Sequence, residues 1–152
     1  GYDIHRFNSK RKLILGGAEI KFKYGLDGYS DADVLIHSVC DSILGAAGCR
    51  DIGFYFPNKD KRFKDISSLI LLKSSNKIIK KLGYKINNID SVIIAEKPRL
   101  SDKISEMKKN ISKALKLSVS DIGIKVTTNE GLDDIGNVQG IAAYSVALIQ
   151  KK

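Results

Sequence analysis

The chain has 152 residues, with 26 Lys or Arg against 17 Asp or Glu, a formal net charge of +9, two Cys, two His, one Met and no Trp. That length predicts one domain, 1–152, able to bury about two-thirds of the surface its unfolded chain exposes without metal or disulfide staples. Apolar runs such as Val34 to Ile36 or Ala142 to Ile149 fall well short of the ~20 residues a spanning helix needs, so no membrane partner is expected.

The positive charge does not argue for a nucleic-acid partner. Lys and Ile are each present 21 times while Arg is scarce, a compositional bias, and Lys is spread along every exposed helix face where a nucleic-acid module would gather it beside aromatics. Cys40 and Cys49 match no metal or redox spacing and read as reduced core thiols. The chain opens at Gly1 and its only Met is Met107, so a trimmed start is expected. A plastid-type organelle (apicoplast or chloroplast) after transit-peptide removal, or the bacterial cytoplasm, are the expected locations.

In chain order, Leu13 to Gly17 and Ala18 to Phe22 predict a hairpin around Gly16-Gly17. Val34 to Ala47 predicts a helix approached by the capping residues Ser30-Asp31-Ala32-Asp33. Asp51 to Asp60 reads as a loop. A second helix is predicted from about Ser67 to Leu82, with Leu69, Leu72, Ile79 and Leu82 interleaved with Lys and Gly83 in the C′ position. Ile89 to Ala95 is a predicted buried strand, Ser101 the cap of a third helix to about Leu117, Ile122 to Thr128 a strand, and Val138 to Ile149 a last helix. Strands alternating with helices predict an α/β or α+β layered fold with one sheet covered by helices.

Asp3-Ile4-His5 places a carboxylate and an imidazole two residues apart, so an extended segment projects both from one face. His37 follows on the first helix, where Asp33, His37 and Asp41 line one stripe. Asp-x-His is common by chance and His37 could be a satisfied helix histidine. Two His and one Asp would also make a three-ligand zinc site with an open fourth position, which is the catalytic arrangement. Asp33 or Asp41 would then accept from His37 and fix its tautomer, or simply complement the helix dipole. The loop at 51–60 carries three aromatics, as binding loops often do, or merely covers the core. Thr127-Thr128-Asn129-Glu130-Gly131 ends a strand with groups suited to phosphate oxygens and a hard divalent cation, or forms an ordinary polar turn.

Together these segments resemble a known family. Gly-Tyr-Asp-Ile-His-Arg-Phe at 1 to 7, Leu-Gly-Gly at 15 to 17, Ser-Asp-Ala-Asp-Val-Leu-Ile-His-Ser-Val-Cys-Asp at 30 to 41, Asp-Ile-Gly-x-x-Phe-Pro at 51 to 57 and Thr-Thr-Asn-Glu at 127 to 130 are similar, in register, to the 2-C-methyl-D-erythritol 2,4-cyclodiphosphate synthases. The resemblance implies an α+β fold with a mixed sheet covered by helices on one face, of chorismate-mutase-like topology, in a homotrimer. It implies a lyase of the non-mevalonate isoprenoid pathway that converts 4-diphosphocytidyl-2-C-methyl-D-erythritol 2-phosphate to the cyclic diphosphate with release of CMP.

By the same resemblance, Asp3, His5 and His37 hold one zinc per chain, and Glu130 holds magnesium or manganese with the substrate. Ser30 and Thr128 contact phosphate, as does the residue at Tyr29. Asp51, Ile52 and Gly53 stand at the methylerythritol portion, with Phe56, Pro57, Asn58, Lys59 and Asp60 in the loop that closes over it. Ala95, Glu96, Lys97, Pro98, Arg99, Leu100 and Ser101, with Thr127 and Asn129, form the cytidine site, contributed by a neighbouring subunit. Five positions depart from the family. Tyr29 stands where the family usually has His, Gly131 where Lys is common, Asn137 and Gln139 where Arg and Glu are frequent, and Asp134 in place of Phe. Two other readings of the residues are a zinc-dependent phosphoesterase with water as nucleophile and a basic nucleic-acid-binding module, which would have no use for Asp3, His5 and His37.

Overall fold

A computed structural model describes residues 1–152. The fold is mixed α+β, with a five-stranded sheet in the order β4-β1-β7-β5-β6. Its strands are β1 (Tyr2–Asn8), β4 (Gly25–Leu26), β5 (Tyr84–Ile94), β6 (Ile122–Thr127) and β7 (Gly140–Lys151). β5 and β6 run parallel, and the other neighbours are antiparallel. A separate hairpin joins β2 (Leu13–Leu15) to β3 (Ala18–Ile20). Its two-residue turn is Gly16-Gly17, as predicted, with both residues at positive φ, the conformation such a tight turn demands.

The helices lie on one face of the sheet. α1 (Val34–Ala46) packs on β7 and β1, α3 (Ser68–Lys81) on α1 and β5, and α4 (Ile104–Leu115) on β6 and α3. Between them sits a core of 28 buried residues, including Leu35, Ile43, Leu72, Ile93 and Met107. α1 is apolar nearly all round, which suits a helix sandwiched between sheet and helix. The opposite sheet face carries Tyr2, Ile4, Tyr144, Val146 and Leu148, all about half exposed or more.

The predicted last helix is not a helix. Val138 to Ile149 mostly forms β7, the central strand. Ile141, Ala143, Ser145, Ala147 and Ile149 face the helices while Tyr144, Val146 and Leu148 face away, and because both faces are apolar the period of two is masked in the sequence. Other corrections are smaller. The loop at 51–60 contains a helical turn, α2 (Ile52–Tyr55). Ser101 opens a 3₁₀ turn and its side chain caps nothing at the start of α4, which ends at Leu115 on Lys116 in the left-handed region. β5 starts at Tyr84, five residues before the predicted strand. α3 ends on Leu82, and Gly83 takes the C′ position at φ +83° as expected. Cys40 is buried, Cys49 only partly, and both thiols are free.

Candidate metal centre and substrate cleft

The alternation of β1 turns Asp3, His5 and Phe7 toward the helices and Tyr2 and Ile4 away. β7 fixes their height, pairing Asp3 with Ala143 and His5 with Ile141. His37 arrives from α1, whose start is set by Asp33. The Asp33 carboxylate accepts the Ile36 N–H at 3.1 Å as an N-cap, and also the N–H groups of Gly16 at 2.9 Å and Gly17 at 2.7 Å. Burial and the charge of Asp31 push the Asp33 carboxyl up, to about 7, against those three N–H donors. Asp33 therefore ties the Gly-Gly turn to the helix that carries His37.

Three donor atoms converge. Asp3 Oδ2 lies 2.9 Å from His5 Nε2 and 2.9 Å from His37 Nδ1, and the two ring nitrogens are 3.2 Å apart. The His5 Nδ1–H donates to the Asp27 carbonyl, which can only accept, so His5 Nε2 presents its lone pair. Burial works to raise the Asp3 carboxyl, but the adjoining His37 and His5 rings, as donors in the metal-free chain, bring it down to about 2. Burial likewise works against a charged His5, and the Asp3 carboxylate overcomes it, so His5 titrates above its ordinary value. Both shifts mark a negative charge that favours a positive partner, a proton or a metal ion, where the three side chains meet. A tetrahedral ion with bonds of about 2.0 Å separates its ligands by about 3.3 Å, close to the spacing found, so the donor set fits a metal with one position open.

These donors lie in a cleft of about 220 Å³ that also brings in Tyr29, Ser30, Ile52, Gly53, Phe56 and Asn58 from the predicted set. Asp51 precedes α2 as its N-cap residue, and Pro57, Lys59 and Asp60 lie outside the lining. The Tyr29 hydroxyl reaches Asp60 instead, donating to its carbonyl at 3.3 Å.

A second groove of about 640 Å³ gathers Ala95, Glu96, Lys97, Pro98, Arg99, Leu100 and Ser101 with Thr127 and Thr128, over Phe22, Ile104 and Val126. It shares no lining residue with the cleft. Asn129 flanks it, its N–H donating to Glu96 at 3.2 Å, and Glu130 accepts from the Thr128 hydroxyl at 2.7 Å without lining either space.

The predicted tautomer anchors for His37 are elsewhere. Asp33 is occupied by the three N–H groups above, and Asp41 accepts the Ile52 N–H at 2.7 Å. His37 Nε2 instead meets Ser68 Oγ at 2.9 Å and Ser30 Oγ at 3.0 Å. Sequence reasoning missed Ser68, which lies 31 residues from His37, and also Arg11 and Gly28. The Arg11 guanidinium donates to the Gly28 and Ser30 carbonyls and stands 3.6 Å from Asp65, pinning the segment that carries Tyr29 and Ser30. A Cβ on Gly28 would stand 3.0 Å from the His5 ring and 2.8 Å from the Ala32 Cβ, so only glycine lets the segment pass so close.

Fold and site together define a mixed α+β protein with three side chains able to hold a metal ion converging in a cleft, the equipment of an enzyme acting on anionic substrates. The chain belongs to the YgbB family, whose model matches residues 1–150. A 2-C-methyl-D-erythritol 2,4-cyclodiphosphate synthase from Clostridium botulinum is 53% identical over 152 residues, covering 100% of this chain and 97% of its own. One from Prochlorococcus marinus is 52% identical over 154 residues, covering 100% and 93%. Among solved structures, the Plasmodium falciparum IspF CDP complex superposes with a TM-score of 0.87 at 36% identity, over 100% of this chain and 94% of that one. The bifunctional IspDF from Campylobacter jejuni gives 0.96 at 39% identity, and this chain spans 41% of its length.

Proposed function

We propose that the chain is a cyclising lyase that converts 4-diphosphocytidyl-2-C-methyl-D-erythritol 2-phosphate to 2-C-methyl-D-erythritol 2,4-cyclodiphosphate, releasing CMP in isoprenoid biosynthesis. The observation that carries the reading is the convergence of Asp3, His5 and His37 at a cleft in a chain whose relatives carry that name over their whole length. A 2-phosphate oxygen attacks the β-phosphorus, the bond from that phosphorus to the CMP oxygen breaks, and an eight-membered ring closes.

Asp3, His5 and His37 would hold zinc, which when bound supplies a Lewis acid for a phosphate oxygen. The chain's own residues do the positioning. Ser30 and Thr128 donate hydroxyl hydrogens to phosphate oxygens, and the Tyr29 phenol stands in for the family's imidazole as a donor. The Ile52 and Gly53 segment borders the methylerythritol portion. The loop from Phe56 to Asp60 closes over it and excludes water that would divert the reaction to hydrolysis. Glu130 supplies a carboxylate for magnesium or manganese arriving with the diphosphate. The groove around Ala95 to Ser101 takes cytidine, its wall of Pro98, Leu100 and Val126 suiting a base and its backbone groups suiting hydrogen bonds.

A homotrimer of chorismate-mutase-like topology accounts for two further features. The cleft and the groove are separate on one chain, and the sheet face of Tyr2, Ile4, Tyr144, Val146 and Leu148 is uncovered. Stacking those faces about a threefold axis would bring the groove of one subunit to the cleft of the next. No helix is long and apolar enough to cross a membrane, and the bacterial relatives favour a cytoplasmic setting over an organellar one.

Incubation with the CDP-methylerythritol 2-phosphate substrate, followed by phosphorus NMR, tests the reading. Equimolar CMP and cyclic diphosphate are expected. CMP with a linear bisphosphate would mean a phosphoesterase, and no turnover would overturn the assignment.

A further inference from the structure

We propose that Ser68 and Asp31 form a positioning relay that fixes the tautomer of His37 and so keeps its Nδ1 lone pair free for the metal. The inference rests on the metal-centre reading above, and the relay acts against the Asp3 carboxylate, an acceptor 2.9 Å from Nδ1 that favours a proton on that atom in the metal-free chain. The Asp31 carboxylate can only accept. Its Oδ1 takes the Ser68 hydroxyl hydrogen and its Oδ2 takes the Ser68 N–H at 2.9 Å. With its one hydrogen committed to Asp31, the Ser68 oxygen can only accept from His37 Nε2 at 2.9 Å. His37 Nε2 therefore carries the ring proton, and Nδ1, the atom 2.9 Å from Asp3 and 3.2 Å from His5, is bare.

Ser30 could not enforce this by itself. Its oxygen, 3.0 Å from the same Nε2, accepts the Ala32 N–H at 3.2 Å, and its own hydrogen is free to point at the ring or away from it. A lone Ser30 would serve either tautomer. Ser68, polarised from behind by a carboxylate, serves one. The backbone keeps the relay in register, because Ser68 is the first residue of α3 and is fully buried, while Asp31 holds it by both hydroxyl and N–H. The arrangement is the outer support a metal-ligating histidine usually has, here routed through a hydroxyl to an acid two residues before the helix cap Asp33.

The relay makes an unusual prediction for Asp31→Asn. The amide has one acceptor. The Ser68 N–H at 2.9 Å claims it, since that backbone donor cannot turn, and outweighs the Asp33 N–H, which reaches Asp31 at 3.3 Å. The NH₂ then faces the Ser68 oxygen and frees the Ser68 hydrogen to donate to His37 Nε2. The tautomer reverses, and a proton sits on Nδ1 where the metal should bind. Removing that hydroxyl should relieve the fault, so Asp31→Asn combined with Ser68→Ala binds metal better than Asp31→Asn alone.

The experiment has two readouts on the folded protein. Nitrogen-15 NMR of His37 in metal-free protein at mildly alkaline pH should show the proton on Nε2 in the wild type and on Nδ1 in Asp31→Asn. Zinc titration against a chelator of known affinity should show Asp31→Asn weakened ~10- to 100-fold, Ser68→Ala weakened by less, and the double variant close to Ser68→Ala. A wild-type proton on Nδ1 overturns the relay, as does a double variant weaker than both single ones; the wild-type spectrum decides even where a variant fails to fold. Absence of zinc binding in wild type with the expected tautomer would instead fault the metal-centre reading and leave the relay standing.

Discussion

In the proposed trimer, replacing Val146 by Asp should separate the subunits without unfolding them. Val146 is 64% exposed on the single chain, on the sheet face it shares with Tyr2, Ile4, Tyr144 and Leu148. Completing the burial of a valine side chain from that state is worth about 1.5 kcal/mol per subunit. A carboxylate there without a partner adds a desolvation cost of at least ~2 kcal/mol. Three symmetric copies bring the loss to ~10 kcal/mol per trimer, a factor of ~10⁷ in the trimerisation constant. Because that constant varies with the square of monomer concentration, the midpoint of dissociation should rise ~3,000-fold. On the isolated chain the same change touches an exposed strand position and should cost less than ~1 kcal/mol. Light scattering over a dilution series, with circular dichroism to confirm the fold, provides the measurement. Val146→Asp eluting with the wild-type trimer mass throughout, or a wild type that is monomeric and active, would refute the proposed interface.

Three other outcomes follow from the site. His37→Ala should take zinc content, measured by elemental analysis of protein purified without chelators, from one per chain to a small fraction of that; unchanged content would remove His37 from the centre. Glu130→Gln should retain zinc yet slow CMP release about 100-fold across a magnesium titration, because an amide lacks the charge that holds a hard cation; wild-type rate and magnesium dependence would show that Glu130 only decorates its turn. Asp33→Ala strands the N–H groups of Gly16, Gly17 and Ile36, which should lower urea-measured stability by about 3–5 kcal/mol, and a loss under ~1 kcal/mol would mean that water replaces the carboxylate.

What the sequence disclosed and what it hid divide along physical lines. Asp3 and His5 were legible because a period of two is local and both donors sit in one strand. His37 was legible because it follows its helix cap at a fixed interval. The two serines behind His37 were not both legible. Ser30 lies within the motif, but Ser68 reads only as a helix start, and nothing local says that α3 will lay its first residue against a ring 31 positions earlier. The same holds for Arg11, whose reach to the Gly28 and Ser30 carbonyls depends on how the hairpin folds back. The helix expected over Val138 to Ile149 failed for another reason: Ala142, Ala143 and Ala147 favour helix by propensity, and placement between β1 and β5 overrides them.

The separation of cleft and groove on each chain has a genetic reading. In the proposed assembly, where each site would be completed by two chains, damage to the zinc half and damage to the cytidine half would be faults of different molecules that one trimer can combine. In the proposed trimer, a chain carrying His37→Ala would still lend a sound groove to its neighbour, and one carrying a disabling change at Arg99 would still lend a sound cleft. Random mixing of the two inactive proteins at equal amounts would draw both intact halves together at about a quarter of the sites. Two dead alleles in one cell would then restore a fraction of the flux that neither supports, whereas two alleles damaged on the same half would restore none.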